Sequence, residues 1–471
     1  MSKEVHKLSF KEKVGYGFGD LASVLFWQTI MVYLLFFYTD IFGLTAAAAG
    51  IMFFVSRILD AFFDVVIGMT ADRTVSRWGK FRPYILFGAV PLAISAVLAF
   101  TTPGFGETGK VIYAYITFIL FMFMYSTVNI PYTALLGVIS DDPVERTSAA
   151  SFKFVGAYLA GFIVSASALP LAKYLGAGND GRGWQFTMML YGVAAVLFFM
   201  VTFLSTKERI QPIAKEKTSI KNDLKDISQN VPWILLFIVT ILFILFVCIR
   251  MSVTAHYFKY YVGEQEFNFF GNKYKFGFEV LASAFNTVGQ LVSLIGVLAV
   301  PWFTKLVGRK TAVISLFVVA LICTGSFVFL SPDNLTWIFI FQTLGSITGG
   351  PISTLLWVMY ADTADYSEWK TGRRATGLVF SASIMSNKLG WAIGSMIAGL
   401  ILASTGFVPN VMQNANVLNG LKNMMSIIPV AAGLIALIIL MFFYKLDEQT
   451  MIKVKAELEE RRSAIGEEAT A

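Results

Sequence analysis

The stretch GIMFFVSRILDAFFDVVIGMTAD, residues 50–72, decides the fold class of this chain. It is apolar for about 20 residues, the length that an α-helix needs to cross a hydrocarbon core about 30 Å thick. Three charged side chains interrupt it: Arg57, Asp60 and Asp64. A charge inside such a span costs at least about 2.5 kcal/mol and usually faces a polar cavity or an ion path. The stretch is therefore predicted to be a membrane-spanning helix with a polar function.

The spacing of these three residues predicts that they share one stripe of the helix. At about 100° per residue, the separations of three and seven residues keep them within an arc of about 60°. Two carboxylates on one stripe favour a site for a coupling cation. The alternative is a structural ion pair between two helices, which needs only one of the two acids.

The composition favours the same class of protein. Hydrophobic residues make up 56% of the chain, charged residues 14%, and the mean hydropathy is +0.68, whereas soluble domains carry about 25% charge. We identify twelve apolar stretches of spanning length. Most of the 37 Lys and Arg residues lie at the N-terminus, in even-numbered loops or in the tail, which predicts that both termini are cytoplasmic. This distribution explains the net charge of +7 without a nucleic-acid partner.

The order of these stretches predicts an all-α membrane protein with two six-helix bundles. The expected divisions are an N-terminal bundle over 1–205, a cytoplasmic middle loop over 206–231, a C-terminal bundle over 232–446 and a cytoplasmic tail over 447–471. Glycine and clustered basic residues follow both the second and the eighth spans, as in GMTADRTVSRWGK and VGRKT. This weak internal repeat resembles the major facilitator superfamily, whose binding sites lie near the bilayer midplane between two related halves.

Several enzymatic and metal-dependent functions are disfavoured by the residue inventory. Cys248 and Cys323 both lie in apolar runs and are expected to be buried free thiols. His6 and His256 cannot build a zinc site alone. We find no catalytic Cys/His/Asp pattern and no phosphate-binding loop, so a membrane enzyme is the least favoured class and no cofactor is expected. The polar N-terminal segment lacks the pattern of a cleavable signal, and the first span is expected to be retained.

A set of motifs in register places the chain closer to one family. The motifs are YGFGD at 16–20, FFYTDIFGL at 36–44, RILDAFFD at 57–64, RWGKFRPY at 77–84, NIPY at 129–132 and ADTADYSEWKTGRRATG at 361–377. From about Lys11 to Asp447 the chain resembles the glycoside–pentoside–hexuronide cation symporters, the family that includes melibiose permease. The resemblance implies a multi-pass protein of the cell membrane, expected to be monomeric, that imports a sugar or glycoside together with Na⁺, H⁺ or Li⁺. A pentoside, a xyloside or a hexuronide is a possible cargo.

The resemblance also implies a cation site. The family's two second-helix carboxylates match Asp60 and Asp64, a hydroxyl ligand matches Ser126, and a lysine of the eleventh span matches Lys388. Asn129 stands where melibiose permease has an aspartate, so an amide oxygen replaces one negative charge. For Lys388, structural pairing between helices is the alternative.

The sugar side departs further from the family. The helix-one aspartate of melibiose permease falls at Val24, its tryptophan falls at Thr133, and its helix-five arginine falls at Lys153, which loses the bidentate fork. Asp20 lies one turn before Val24 and could not simply replace that aspartate. These departures favour a sugar other than a galactoside.

The residues that remain for substrate binding are polar or aromatic and lie in or near the spans. Trp357 could stack under a sugar ring or only pack. Arg250 could meet a hexuronate carboxylate or form a structural pair. The full candidate set is Gln28, Asn129, Thr133, Lys153, Arg250, His256 and Trp357.

Charged clusters at matching cytoplasmic positions in the two halves are expected to form a gate. The candidates are Asp72, Arg73, Arg146, Asp362, Asp365, Glu368 and Arg374. The alternative is solvated charge that only sets the topology. A cation-coupled lysolipid symporter of the same fold remains a second function, which would need an apolar groove for an acyl chain.

Overall fold

The computed structural model describes residues 7–140, 142–209, 229–269, 272–371, 376–446, 449–454, 456–458 and 460. The described chain is helical almost throughout, which confirms the predicted fold class. Most of the middle loop and Arg374 lie outside these residues, as does the side chain of Asp72. The helices are α1 (Phe10–Phe36), α2 (Ala46–Arg73), α3 (Arg82–Ala99), α4 (Glu107–Leu135), α5 (Pro143–Gly176), α6 (Asp180–Ser205), α7 (Val231–His256), α8 (Phe278–Val307), α9 (Arg309–Gly325), α10 (Leu335–Thr371), α11 (Thr376–Ser404), α12 (Ala415–Met425) and α13 (Ile427–Ile438).

Ten helical segments of the described chain are long and apolar enough to cross a membrane. α2 and α10, which contain two of the twelve expected spans, are not among these ten. The exact number of spans therefore stays a prediction. Cys248 and Cys323 are both buried, as expected.

The chain divides into two compact units. The first contains Met1–Ala214, Met251–Gln290 and Ser395–Leu421, and the second contains Lys215–Arg250, Leu291–Gly394 and Lys422–Ala471. In the first unit, α1 packs against α5 and α6, α3 against α4 and α6, and α2 against α4. The first unit thus takes in short segments from the C-terminal part of the chain. The sequence-based division into two bundles, a loop and a tail stays a prediction.

The second unit has its own apolar core. Side chains from α7, α9, α10 and α13 are buried together there, and α9 packs against both α10 and α13. Three tail residues, Met451, Val454 and Leu458, join this core. Trp369 at the end of α10 donates an indole hydrogen bond of 2.6 Å to the carboxylate of Glu457. Part of the polar tail is therefore anchored to the second unit.

The charged helix α2 begins at a well-defined cap. The Thr45 hydroxyl accepts a hydrogen bond of 3.2 Å from the backbone N–H of Ala48, which satisfies one of the free donors of the first turn. Four alanines then continue the helix, and alanine has the highest helix propensity. The uninterrupted helix carries Arg57, Asp60 and Asp64 at the predicted spacing.

Glycines allow α1 and α5 to cross at very short distance. A Cβ atom at Gly17 would lie 2.6 Å from the carbonyl oxygen of Phe152, and one at Gly156 would lie 2.3 Å from that of Gly17. Because neither atom could move without shifting backbone, only glycine fits at this crossing. The YGFGD motif thus serves close helix packing, and it brings the residues on either side of the crossing together.

Two helices end in a π-helical turn of the same length. Phe37–Phe42 follows α1 and Tyr257–Val262 follows α7. Each turn is followed by a glycine with a left-handed φ, Gly43 at 87° and Gly263 at 71°, a conformation that other residues rarely adopt. A two-stranded antiparallel hairpin, Gln265–Phe269 with Asn272–Phe276, lies between α7 and α8. The all-α prediction did not include this hairpin.

Candidate cation and substrate site

The two acids of α2 meet at one hydroxyl of α4. Ser126 Oγ lies 2.8 Å from Asp60 Oδ1 and 2.8 Å from Asp64 Oδ1. Asp60 and Ser126 are buried and Asp64 is half-buried. A hydroxyl has one hydrogen, so it donates to one carboxylate at a time and turns a lone pair toward the other. Three oxygens from two helices therefore converge, which is the ligand chemistry that hard cations prefer.

Arg57 lies at the edge of this oxygen cluster. Its Nη1 is 3.8 Å from Asp60 Oδ2, and its Nη2 contacts the sulfur of Met31 at 3.4 Å. The guanidinium carbon lies 4.3 Å from the centre of the Trp27 ring, within the range of a cation–π contact. Arg57 therefore connects the acid pair of α2 to the aromatic face of α1.

An aromatic and polar wall continues from there along α1 and α4. Trp27 stacks on Tyr125, with ring centres 5.2 Å apart and planes 29° from parallel. Three side chains follow one another on α4 at intervals of one turn: Tyr125, Asn129 and Thr133. The last of them is the most exposed to solvent. Asn129 is half-buried and Thr133 is exposed. Such a wall offers a stacking surface beside hydrogen-bonding groups.

A partly buried ion pair lies at the α1–α5 crossing. Lys153 Nζ is 3.8 Å from Asp20 Oδ1, and the exposed fractions of the two side chains are 21% and 12%. The same ammonium lies 5.4 Å from the centre of the Tyr132 ring, which stacks on Tyr16. Asp20 comes three residues after Gly17 and Lys153 three before Gly156, so the glycine crossing determines this contact.

Three further candidates lie in the second unit. Arg250 donates to Thr324 Oγ1 at 3.1 Å and to Gln342 Oε1 at 3.2 Å, and its guanidinium lies 4.9 Å from the Phe327 ring centre. Trp357 packs against the core of that unit. Lys388 is half-buried on α11.

Gln28 and His256 are in the first unit. Gln28 is buried on α1. His256 is fully buried, and its Nε2 lies 2.8 Å from Thr39 Oγ1 and 3.2 Å from Asp40 Oδ2. A buried hydroxyl and a buried carboxylate thus lie beside the same imidazole nitrogen, and the sugar-binding role of His256 stays a prediction.

The expected gate residues have varied surroundings. Asp362 is buried and binds Arg309 of the same unit through a short ion pair. Arg73 is exposed, and Arg146, Asp365 and Glu368 are half-buried. Within the described ranges, no group of three or more His, Cys, Asp or Glu residues could hold a metal ion.

Sequence comparison now identifies the family. Residues 15–448 match the sequence profile of the MFS/sugar transport proteins. The chain belongs to this family. The resemblance to the glycoside–pentoside–hexuronide cation symporters of the major facilitator superfamily is thereby confirmed, and the family consists of multi-pass membrane transporters.

Full-length relatives support the same assignment. The chain is 37% identical to an inner membrane symporter, YicJ, of Escherichia coli (strain K12), over 97% of this chain and 96% of the relative. It is 35% identical to the isoprimeverose transporter of Lactiplantibacillus pentosus, over 98% of this chain and 94% of the relative. The crystal structure of a D-xylose–proton symporter superposes with a TM-score of 0.63 at 13% identity, over 93% of this chain and 98% of that one, which shows the shared fold.

Sequence reasoning missed several members of this constellation. Nothing in the sequence distinguishes Trp27 and Tyr125, because aromatic residues are abundant in the spans, with 44 Phe and 9 Trp in the chain. The family pattern does not point to Asp20, because its position differs by one turn from that of the family aspartate. A usable signal was present for Asp20, since it is an acid inside an apolar span and such acids need a partner.

Proposed function

We propose that this protein is a secondary active transporter, and not an enzyme, that imports a sugar or glycoside by symport with Na⁺ or H⁺. The observation that carries the proposal is the convergence of Asp60, Asp64 and Ser126. Two carboxylate oxygens that each lie within hydrogen-bonding distance of the same hydroxyl, inside the predicted spans, suit a small cation. The stacked Trp27 and Tyr125 rings lie directly beside them and suit the apolar face of a sugar.

For substrate binding, the proposal includes an ion pair, Asp20 with Lys153, that the family resemblance did not predict. Asp20 and Lys153 offer a carboxylate and an ammonium to sugar hydroxyls, with Asn129 and Thr133 on the neighbouring helix. The position of Val24 has no polar group, and in this proposal Asp20 supplies a carboxylate one turn earlier on α1, where Lys153 holds it. A relative that carries isoprimeverose is consistent with a pentose-containing cargo.

The ion choice depends in this proposal on Asn129 and the two acids. A neutral amide supplies an oxygen but cannot be protonated in the working pH range, so proton coupling would use Asp60 or Asp64. The part of Lys388 in the cation site rests on the family resemblance alone and stays a prediction. Both termini are proposed to face the cytoplasm, where Arg73, Arg146 and the charged end of α10 act as a gate.

Transport in reconstituted vesicles tests the function. Purified protein in proteoliposomes is given a panel of radiolabelled glycosides, pentosides and hexuronides under an inward Na⁺ gradient, a proton gradient or neither. We expect gradient-dependent accumulation of at least one of them, abolished in Asp60→Asn with Asp64→Asn. Accumulation that is the same with and without the two gradients would contradict symport. If the vesicles take up labelled lysolipid, offered separately, and none of the sugars, the result would favour the second function.

A further inference from the structure

A second polar cluster lies at the far end of α1, away from the cation site. Asp40 and His256 both have side chains that are 0% exposed. Asp40 Oδ1 accepts a hydrogen bond from Lys259 Nζ at 2.8 Å and a short one from the Tyr260 hydroxyl. Asp40 Oδ2 accepts one from Thr39 Oγ1 at 2.8 Å. Both carboxylate oxygens of Asp40 are therefore held by side chains.

The loop after α11 closes the cluster. Asn410 Nδ2 donates to the backbone carbonyl of Asp40 at 2.6 Å, and its Oδ1 accepts from Lys259 Nζ at 2.6 Å. Its backbone N–H donates to the Tyr260 hydroxyl at 2.8 Å. Three distant segments of the chain, around residues 40, 259 and 410, are thus joined through hydrogen bonds and the Asp40–Lys259 ion pair.

The two segments that supply most of this cluster occupy equivalent positions in the two halves of the chain. Thr39 and Asp40 lie in the π-helical turn after α1, and Lys259 and Tyr260 lie in the π-helical turn after α7. α1 is the first helix of the N-terminal half and α7 the first of the C-terminal half. Counted back from Gly43 and Gly263, Asp40 and Tyr260 occupy the same position of the two turns. π-helical turns are rare and frequently lie at functional sites.

Other contacts on the same side also join the two halves of the chain. Lys173 of α5 pairs with Glu279 of α8 at 2.9 Å. The start of α2 touches α11 through two glycines, because a Cβ atom at Gly399 would lie 2.5 Å from the carbonyl oxygen of Ala46 and 2.8 Å from Gly50 Cα. All of these residues belong to the first compact unit.

We propose that the cluster of Thr39, Asp40, His256, Lys259, Tyr260 and Asn410 is the outer lock of the transporter. It forms when the outer side is closed and separates when that side opens. The inference rests on the proposed function and orientation, which place the end of α1 outside the cell. Alternating access requires the two halves to part at this side, and the cluster joins them.

The chemistry of the cluster suits a contact that must open. The desolvation of a buried ion pair offsets most of its Coulomb attraction, so separating both partners into water costs little. Removing one partner while the other stays buried costs much more. A substitution at Asp40 should therefore destabilise the closed arrangement much more than the open, hydrated one.

Cysteine accessibility tests the lock without a known substrate. A reporter, Val24→Cys, is labelled from outside intact cells with a membrane-impermeant maleimide, while the buried Cys248 and Cys323 keep the background low. Asp40→Asn should raise the labelling rate about tenfold, a shift of 1.4 kcal/mol in the open–closed equilibrium. The matched control is Glu266→Gln, which breaks an exposed 2.9 Å pair with Lys275 inside the hairpin of one half and should leave the rate unchanged.

A steric variant covers the case in which Asp40→Asn does not fold. Gly399→Ala prevents the close approach of α11 to α2 and should speed labelling as well, whereas Gly349→Ala, whose Cβ meets no atom within 4 Å, should not. Unchanged labelling in folded Asp40→Asn or in Gly399→Ala would overturn the lock, and acceleration only from the cytoplasmic face would overturn its outer placement. If labelling responds as expected while no glycoside is accumulated, the lock stands and the proposed cargo is wrong.

Discussion

Replacing Ser126 by alanine tests the cation site with the smallest change that the structure offers. The substitution removes one oxygen and leaves both acids in place. Ser126 Oγ is 2.8 Å from each carboxylate, and a hydrogen bond to a charged group contributes about 1.5–3 kcal/mol. If the hydroxyl contributes as much to a bound cation, Ser126→Ala should weaken cation affinity by a factor of about 10 to 150.

Thermal unfolding in detergent measures this loss without any sugar. A cation at 100 times its dissociation constant stabilises the folded protein by about 2.7 kcal/mol. At the same concentration, a variant with the weakened affinity would gain only about 0.3–1.4 kcal/mol. The cation-induced rise in the unfolding midpoint should therefore fall by half or more, for whichever of Na⁺ and Li⁺ stabilises the parent.

The control is a serine with the same burial and no part in the site. Ser165 on α5 is fully buried, and its hydroxyl has no hydrogen-bond partner within the described chain. Ser165→Ala should keep the full cation response. A response in Ser126→Ala equal to that of the parent would refute the assignment of the hydroxyl as a cation ligand.

Three further expectations follow from the same site. Asp60→Asn and Asp64→Asn should each abolish accumulation against a gradient while immunoblots of membranes show normal protein levels; normal accumulation in both would contradict the cation site. Asn129→Asp should lower the half-saturating Na⁺ concentration for uptake about tenfold, or 1.4 kcal/mol, and an unchanged value would remove Asn129 from the cation shell. A double-mutant cycle of Asp20→Asn and Lys153→Gln on the glycoside KM should give an interaction of at least about 0.5 kcal/mol; additive effects would mean that the pair does not act as one unit.

The acid pair could be predicted from the sequence because its geometry is local. Asp60 and Asp64 lie one turn apart on the same helix, and helical spacing alone places them on one face. Ser126 was reached only through the family resemblance, since 66 residues separate it from Asp60. Local spacing does not determine which helices pack together.

The Asp20–Lys153 pair could not be predicted because it depends on a helix crossing. Which residues face each other there is decided by Gly17 and Gly156, and no periodicity in the sequence gives that pairing. The sequence predicts a sugar-binding role for His256 because intramembrane polar residues often line substrate paths, and this role stays a prediction. Its neighbour Asp40 lies in the other half of the chain, so no local spacing in the sequence could predict their contact.

The hairpin between α7 and α8 was missed although a signal existed. The run EFNFFGNKYKF alternates apolar and polar residues around a Gly-Asn pair, which is a turn-forming dipeptide between two strand-like segments. The segment is too short and polar to be predicted as a spanning helix. It lies between two spans, so the predicted topology was unaffected.

The hydroxyl of Ser126, which both acids share, also bears on how ion and cargo movement are coupled. Its neighbour on the chain is Tyr125, so the proposed cation ligand and the proposed stacking ring belong to consecutive residues of α4. A cation bound as proposed would be met by a lone pair of the hydroxyl, and α4 would then be attached to α2 through the ion. In the proposed function, ion and cargo contact the same helical turn, so their coupling needs no signal over a distance.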